Sequence, residues 1–129
     1  MKRLLIDSQV LLWSGINDSR LTRKAIKTLE SEDSELFVSI ASLWEIAIKL
    51  NIGKLKLPIS LEELIHGRLL KLKLQIVPIK TRHLLEYTSL PLHHRDPFDR
   101  ILIAQASIEQ FSIVTSDDNF DQYSVSRIW

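Results

Sequence analysis

Cysteine is absent from the 129 residues, which excludes disulfides, thiolate metal sites and cysteine nucleophiles. Glycine and proline are scarce, at three and four residues, so a disordered or low-complexity chain is not expected, and no glycine-rich phosphate loop is present. No internal repeat interrupts the pattern. Neither sign of charge dominates: a net charge of +1 neither announces nor excludes nucleic acid, because a local basic patch is enough to bind phosphate. Long apolar runs are missing too. The N-terminus begins like a signal peptide, but Asp7 stops it after Leu4, Leu5 and Ile6, and no run approaches the length of a membrane span. A cytoplasmic protein without a membrane partner is the expectation. Apolar residues at 45% and charged residues at 26% are ordinary for a globular chain, and one domain over residues 1–129 is long enough to bury a real core.

Short apolar runs at residues 2–6, 36–39, 74–79, 112–115 and 124–128 read as strands, and helical patterns separate them. Ala25, Ile26 and Leu29 mark a helix within residues 22–31, residues 39–50 are densely apolar, and Ser60 with Glu63 forms a capping box before residues 61–66. Thr81 opens a helix over residues 82–87, and residues 51–58, with Gly53, are the clearest loop. Alternating strands and helices predict an α/β fold, a parallel sheet with helices on both faces and right-handed crossovers.

The chain is organised around His93-His94-Arg95-Asp96-Pro97-Phe98-Asp99-Arg100, which opens a mostly apolar helix. Asp96 is a preferred N-cap type, Pro97 suits the first helical position, and Asp99 falls at the third, near the positive end of the dipole. Successive helical residues turn by about 100°, so Asp99 shares the stripe of Ile103 and Ala106 while Arg100 points elsewhere. A carboxylate facing inward from a buried helix needs a cation or donors. Either Asp99 serves only the helix end, or it belongs to a site shared with other acids.

Three other positions supply acids. In open α/β sheets ligands bind beyond the carboxyl ends of strands where the winding reverses; Asp7 follows the first strand, and Asp117 and Asp118 follow a later one. Each has an ordinary reading, a turn acid for Asp7 and the cap of a short helix for Asp117 and Asp118. Glu45 lies on a narrow polar strip with Ser42 and Lys49 in residues 40–50, where a solvent-facing pair between Glu45 and Lys49 competes with a role in a site. Together, four carboxylates converging on one pocket make sense chiefly around a hard divalent cation, Mg²⁺ or Mn²⁺, and the reaction class that follows is phosphodiester hydrolysis. Zinc fits less well, because the histidines are scattered or, at His93 and His94, adjacent loop residues; His66 and His83 read as surface positions. There is no Ser-His-Asp order.

These residues match a known pattern over nearly the whole chain. Leu5-Ile6-Asp7 with Val10-Leu11-Leu12-Trp13, Ser42-Leu43-Trp44-Glu45-Ile46-Ala47-Ile48-Lys49, His94-Arg95-Asp96-Pro97-Phe98-Asp99-Arg100 with Leu102-Ile103-Ala104-Gln105-Ala106, and Val114-Thr115-Ser116-Asp117 resemble PIN-domain ribonucleases, and more closely VapC-type toxins of bacterial toxin-antitoxin modules. The resemblance implies a PIN-like three-layer sandwich with a five-stranded parallel sheet of order 3-2-1-4-5. It also implies a metal-dependent endoribonuclease whose acidic quartet is Asp7, Glu45, Asp99 and Asp117, with Asp96 close by. A homodimer, to which an exposed Trp13 would contribute, and a small cognate antitoxin that covers the site are further implications. One departure is Ser8-Gln9 where the family usually has Thr-His; the Ser8 hydroxyl keeps the ability to orient a water on the metal or to cap the next helix. Lys49, Lys54, Lys56, Lys71 and Lys73 are candidates for RNA phosphate contact, with plain solvated surface as the competing reading.

Two other readings compete. One is a non-catalytic binding module on the same fold. The other is a phospho-acceptor receiver domain, which wants two adjacent acids after its first strand, an acceptor Asp after a middle strand and a Lys after a late one; here Ser8 follows Asp7, and Thr115-Ser116-Asp117 supplies no Lys.

Overall fold

Side chains alternate across a strand, and this alternation sets the layers. In β1 (Lys2–Ile6) Leu4 and Ile6 face one side of the sheet and Leu5 the other; in β2 (Ser34–Ser39) Leu36 and Val38 oppose Phe37; in β4 (Ser112–Val114) Val114 opposes Ile113. The first set packs with α1 (Ser8–Gly15), α2 (Arg23–Glu30), α3 (Ile40–Asn51) and α4 (Leu61–Leu72). The second packs with α6 (Pro97–Glu109), Phe111, Phe120 and Tyr123, while α5 (Thr81–Thr88) lies against α6. The computed structural model describes residues 1–129, and these are the three layers expected.

β3 (Gln75–Val77) and β5 (Arg127–Ile128) complete a wholly parallel sheet of order β3-β2-β1-β4-β5. The central strand β1 pairs with β2 over five residues and with β4 from Leu4↔Ser112 to Ile6↔Val114. Winding therefore reverses between β1 and β4, and Asp7 and Asp117 follow those two strands. A receiver fold, with its order 2-1-3-4-5, is ruled out by this sheet.

Several local expectations are corrected. β3 stops at Val77 because Pro78 has no N–H to give the ladder. β5 is limited to two residues, and α4 runs six residues past His66 before Lys73 ends it at a left-handed φ of 53°. Lys80, not Thr81, is the N-cap of α5; it is His83 Nδ1 that accepts from the Lys80 N–H at 2.9 Å. His83 is accordingly fully buried rather than a surface residue. Trp13, expected to be exposed, is buried among the α1, α2 and α4 residues and stacks at a tilt on Trp129 with 5.8 Å between ring centres. Gly15 allows α1 to approach α4, since a Cβ there would stand 2.5 Å from Leu64 Cδ1. The N-terminus of α6 follows expectation: Asp96 Oδ1 accepts from the Phe98 N–H at 2.9 Å and the Asp99 N–H at 3.2 Å.

Candidate active site

Asp7 leaves β1 at its carboxyl end, and its backbone N–H extends the ladder to Val114 O. Its Oδ1 accepts from the Val10 N–H at 2.8 Å, which makes Asp7 itself the N-cap of α1; its Oδ2 accepts from the Thr115 hydroxyl. Ser8 therefore does not cap the helix. Its hydroxyl donates to Glu45 Oε1 at 2.8 Å, tying the first turn of α1 to α3. Glu45 Oε2 meets Lys49 Nζ at 3.4 Å, so the i,i+4 pair exists, on a carboxylate that also faces Ser8.

Asp117 caps the short 3-10 turn (Asp118–Gln122), accepting from the Asn119 N–H at 2.9 Å, and its own N–H donates to Thr115 Oγ1 at 3.1 Å. One buried hydroxyl thus links the ends of β1 and β4. Asp99, on the first turn of α6, has Oδ2 at 3.3 Å from His94 Nε2. Arg100 does point away from it, as the helical spacing requires, and is buried.

The acids feel one another. Burial pushes the Asp7 carboxyl up to about 6, against the lowering effect of the Thr115 and Val10 hydrogen bonds and with help from the charges of Glu45 and Asp117. Asp99 is pushed up to about 7, first by burial and then by Asp96, Asp117, Glu45 and Asp7. Each carboxylate nevertheless has its own local partner, and no three His, Asp or Glu side chains stand as a ready-made metal cage. The donors are all carboxylate oxygens, the chemistry that suits a hard divalent ion.

Other sequence-derived candidates fall elsewhere. Asp96 serves the helix end, accepting from the Phe98 and Asp99 N–H groups, and its charge raises the Asp99 carboxyl. Lys71 and Lys73 precede β3 at the amino edge of the sheet, opposite the acids, and Lys54 and Lys56 are exposed after α3. A hollow of about 1010 Å³, lined by residues such as Ser14, Leu21, Ile26, Arg68 and Lys71, includes none of the four acids. Two residues escaped sequence reasoning: Thr115, whose signal was a hydroxyl at the end of an apolar strand, and His94, which no spacing rule flags.

An α/β protein with acids gathered beyond the carboxyl ends of β1 and β4, at the reversal of a 3-2-1-4-5 sheet, is a narrow class. The sequence matches the PIN domain family over residues 4–125, and the chain belongs to that family. Solved structures share the fold: VapBC2 from Rickettsia felis bound to a DNA fragment from their promoter (13% identity, TM-score 0.73, covering 98% of this chain and 99% of that one) and DNA-bound VapBC from Salmonella typhimurium (14%, 0.70, 98% and 97%). FitAcB from Neisseria gonorrhoeae is similar too (20%, 0.64, 96% and 95%). Comparison with curated proteins gives no match. No helix is long and apolar enough to cross a membrane.

Proposed function

We propose that this PIN domain is a Mg²⁺- or Mn²⁺-dependent endoribonuclease and the toxin of a toxin-antitoxin module. The observation that carries the reading is the set Asp7, Glu45, Asp99 and Asp117 from four separate parts of the chain around the switch point, with Glu45 and Asp117 among the charges that raise the Asp7 and Asp99 carboxyls. These four hold the ion. When bound, it stabilises the negative charge that builds on the phosphate as the phosphodiester is displaced in line. Thr115 holds the Asp7 carboxylate and Ser8 that of Glu45, so neither has to be oriented at the moment of reaction. Lys49, beside Glu45, is the lysine best placed for RNA phosphate. The solved structures that share the fold include a toxin-antitoxin complex from Klebsiella pneumoniae, which supports a cognate antitoxin as partner.

The test is incubation of purified, antitoxin-free protein with a mixed RNA pool and Mg²⁺, Mn²⁺ or EDTA, followed by mapping of new ends. Cleavage is expected with either ion and is lost in EDTA and in Glu45→Gln; undiminished cleavage in excess EDTA sinks the reading. Metal titration in the same samples separates it from a non-catalytic PIN module, which needs no ion.

A homodimer belongs to the same proposal. With Trp13 buried, the apolar residues left to form an interface are exposed ones such as Leu84, Leu85 and Leu92 around α5. Light scattering is expected to give twice the 14.9 kDa chain mass, and a monomer mass across working concentrations counts against it.

A further inference from the structure

The loop before α6 is held by a buried cation. Arg100 donates from one guanidinium nitrogen to Pro91 O at 2.9 Å, to His94 O at 3.3 Å and to the Tyr123 hydroxyl at 3.0 Å, with the guanidinium 5.1 Å from the Tyr87 ring centre. That same hydroxyl is 2.7 Å from His94 Nδ1, and His94 Nε2 is 3.3 Å from Asp99 Oδ2. Arg100, Tyr123, His94 and Asp99 thus form one continuous chain of polar contacts.

The direction of each bond follows from chemistry. Arginine only donates, so the Tyr123 oxygen is the acceptor there; the His94 backbone N–H, at 3.4 Å, also approaches it as a donor. The single phenolic proton is then left for the remaining partner, His94 Nδ1. A neutral imidazole that accepts at Nδ1 carries its proton on Nε2. That N–H faces Asp99 Oδ2, and an ionised carboxylate only accepts.

We propose that His94 is a positioning residue, its tautomer set by Arg100 and Tyr123, whose Nε2–H fixes the orientation of the Asp99 carboxylate for metal binding. The role rests on the endoribonuclease reading above, with Asp99 as a ligand. Groups that hold a metal ligand from behind are worth about 10- to 100-fold in affinity or activity.

Three variants test it. His94→Gln places an amide N–H near the Nε2 position, whereas His94→Asn reaches only as far as Nδ1. His94→Asn is expected to weaken Mn²⁺ binding by about 10- to 100-fold in calorimetry and to lower kcat on RNA with KM unchanged, while His94→Gln recovers most of both. In ¹⁵N spectra of the metal-free protein, above the imidazole titration range, His94 is expected as the Nε2–H tautomer, and Tyr123→Phe is expected to turn it into a mixture. The role is overturned if both His94 variants bind Mn²⁺ and cleave like the wild type, if both lose function equally together with melting temperature, or if the wild-type ring carries its proton on Nδ1. Wild-type protein that neither binds Mn²⁺ nor cleaves RNA overturns the endoribonuclease reading, and this role with it.

Discussion

Asp99→Asn is expected to abolish metal-dependent RNA cleavage, by at least about a hundredfold, since removing a ligand costs no less than removing the group behind it. The metal-free protein is expected to keep its stability or gain slightly. Burial and the charges of Asp96, Asp117, Glu45 and Asp7 all oppose ionised Asp99, and the neutral amide relieves that repulsion while still offering His94 Nε2 an oxygen. Asp96→Ala goes the other way. It removes the acceptor of the Phe98 and Asp99 N–H groups, which costs about 0.5 to 2 kcal/mol, and leaves part of the cleavage intact. Thermal unfolding of both variants with and without Mg²⁺, beside the RNA assay, is the measurement; Mg²⁺ is expected to raise the melting temperature of the wild type but not of Asp99→Asn. An Asp99→Asn protein that was destabilised without metal yet still cleaved would make Asp99 a helix residue only.

The metal-free protein is also expected to lose stability as pH rises from about 4 to about 7. Asp7 moves from an ordinary 3.8 to about 6 on folding and Asp99 from 3.8 to about 7. Between the unfolded and folded values the native state holds more protons than the unfolded chain, so ∂ΔG/∂pH for unfolding is negative there. The stability is fully present below the unfolded value and is lost as pH climbs through the folded ones, the opposite of a salt-bridged carboxylate. For Asp7 the change is on the order of 3 kcal/mol; Asp99, closer to water, adds a smaller, screened amount. Urea titrations across this range in EDTA measure it, and saturating Mg²⁺ is expected to flatten the slope by favouring the ionised carboxylates. A rising slope in EDTA would refute the coupling.

Why some features were legible and others were not comes down to range. Leu4, Leu5 and Ile6 announce a buried strand because both faces of a parallel sheet are covered, and Asp96-Pro97 announces a helix start because capping chemistry is local. Asp7 and Asp117 could be placed near each other because a chain that ends two neighbouring parallel strands has little freedom to put them elsewhere. Contacts that cross between loops carry no such periodicity. His94 reads as a loop residue until Arg100 and Tyr123 close around it, and His83 reads as surface until its ring caps the backbone of Lys80. Trp13 was misjudged because the polar gaps in residues 8–15 hide a helix buried on several sides, against α2, α4 and Trp129.

The strand order carries a consequence for how the molecule comes into being on the ribosome. β1 and β2 are adjacent in both sequence and space, so the first half of the sheet can begin to pair early; β4, its other neighbour, arrives only after α6, and Thr115 reaches Asp7 across 108 positions of chain. Contacts of such separation are the slow ones. With acids at positions 7, 45, 99 and 117, the fourth is translated 110 positions after the first. A growing chain therefore cannot complete this pocket before residue 117 has been made and β4 has come in beside β1.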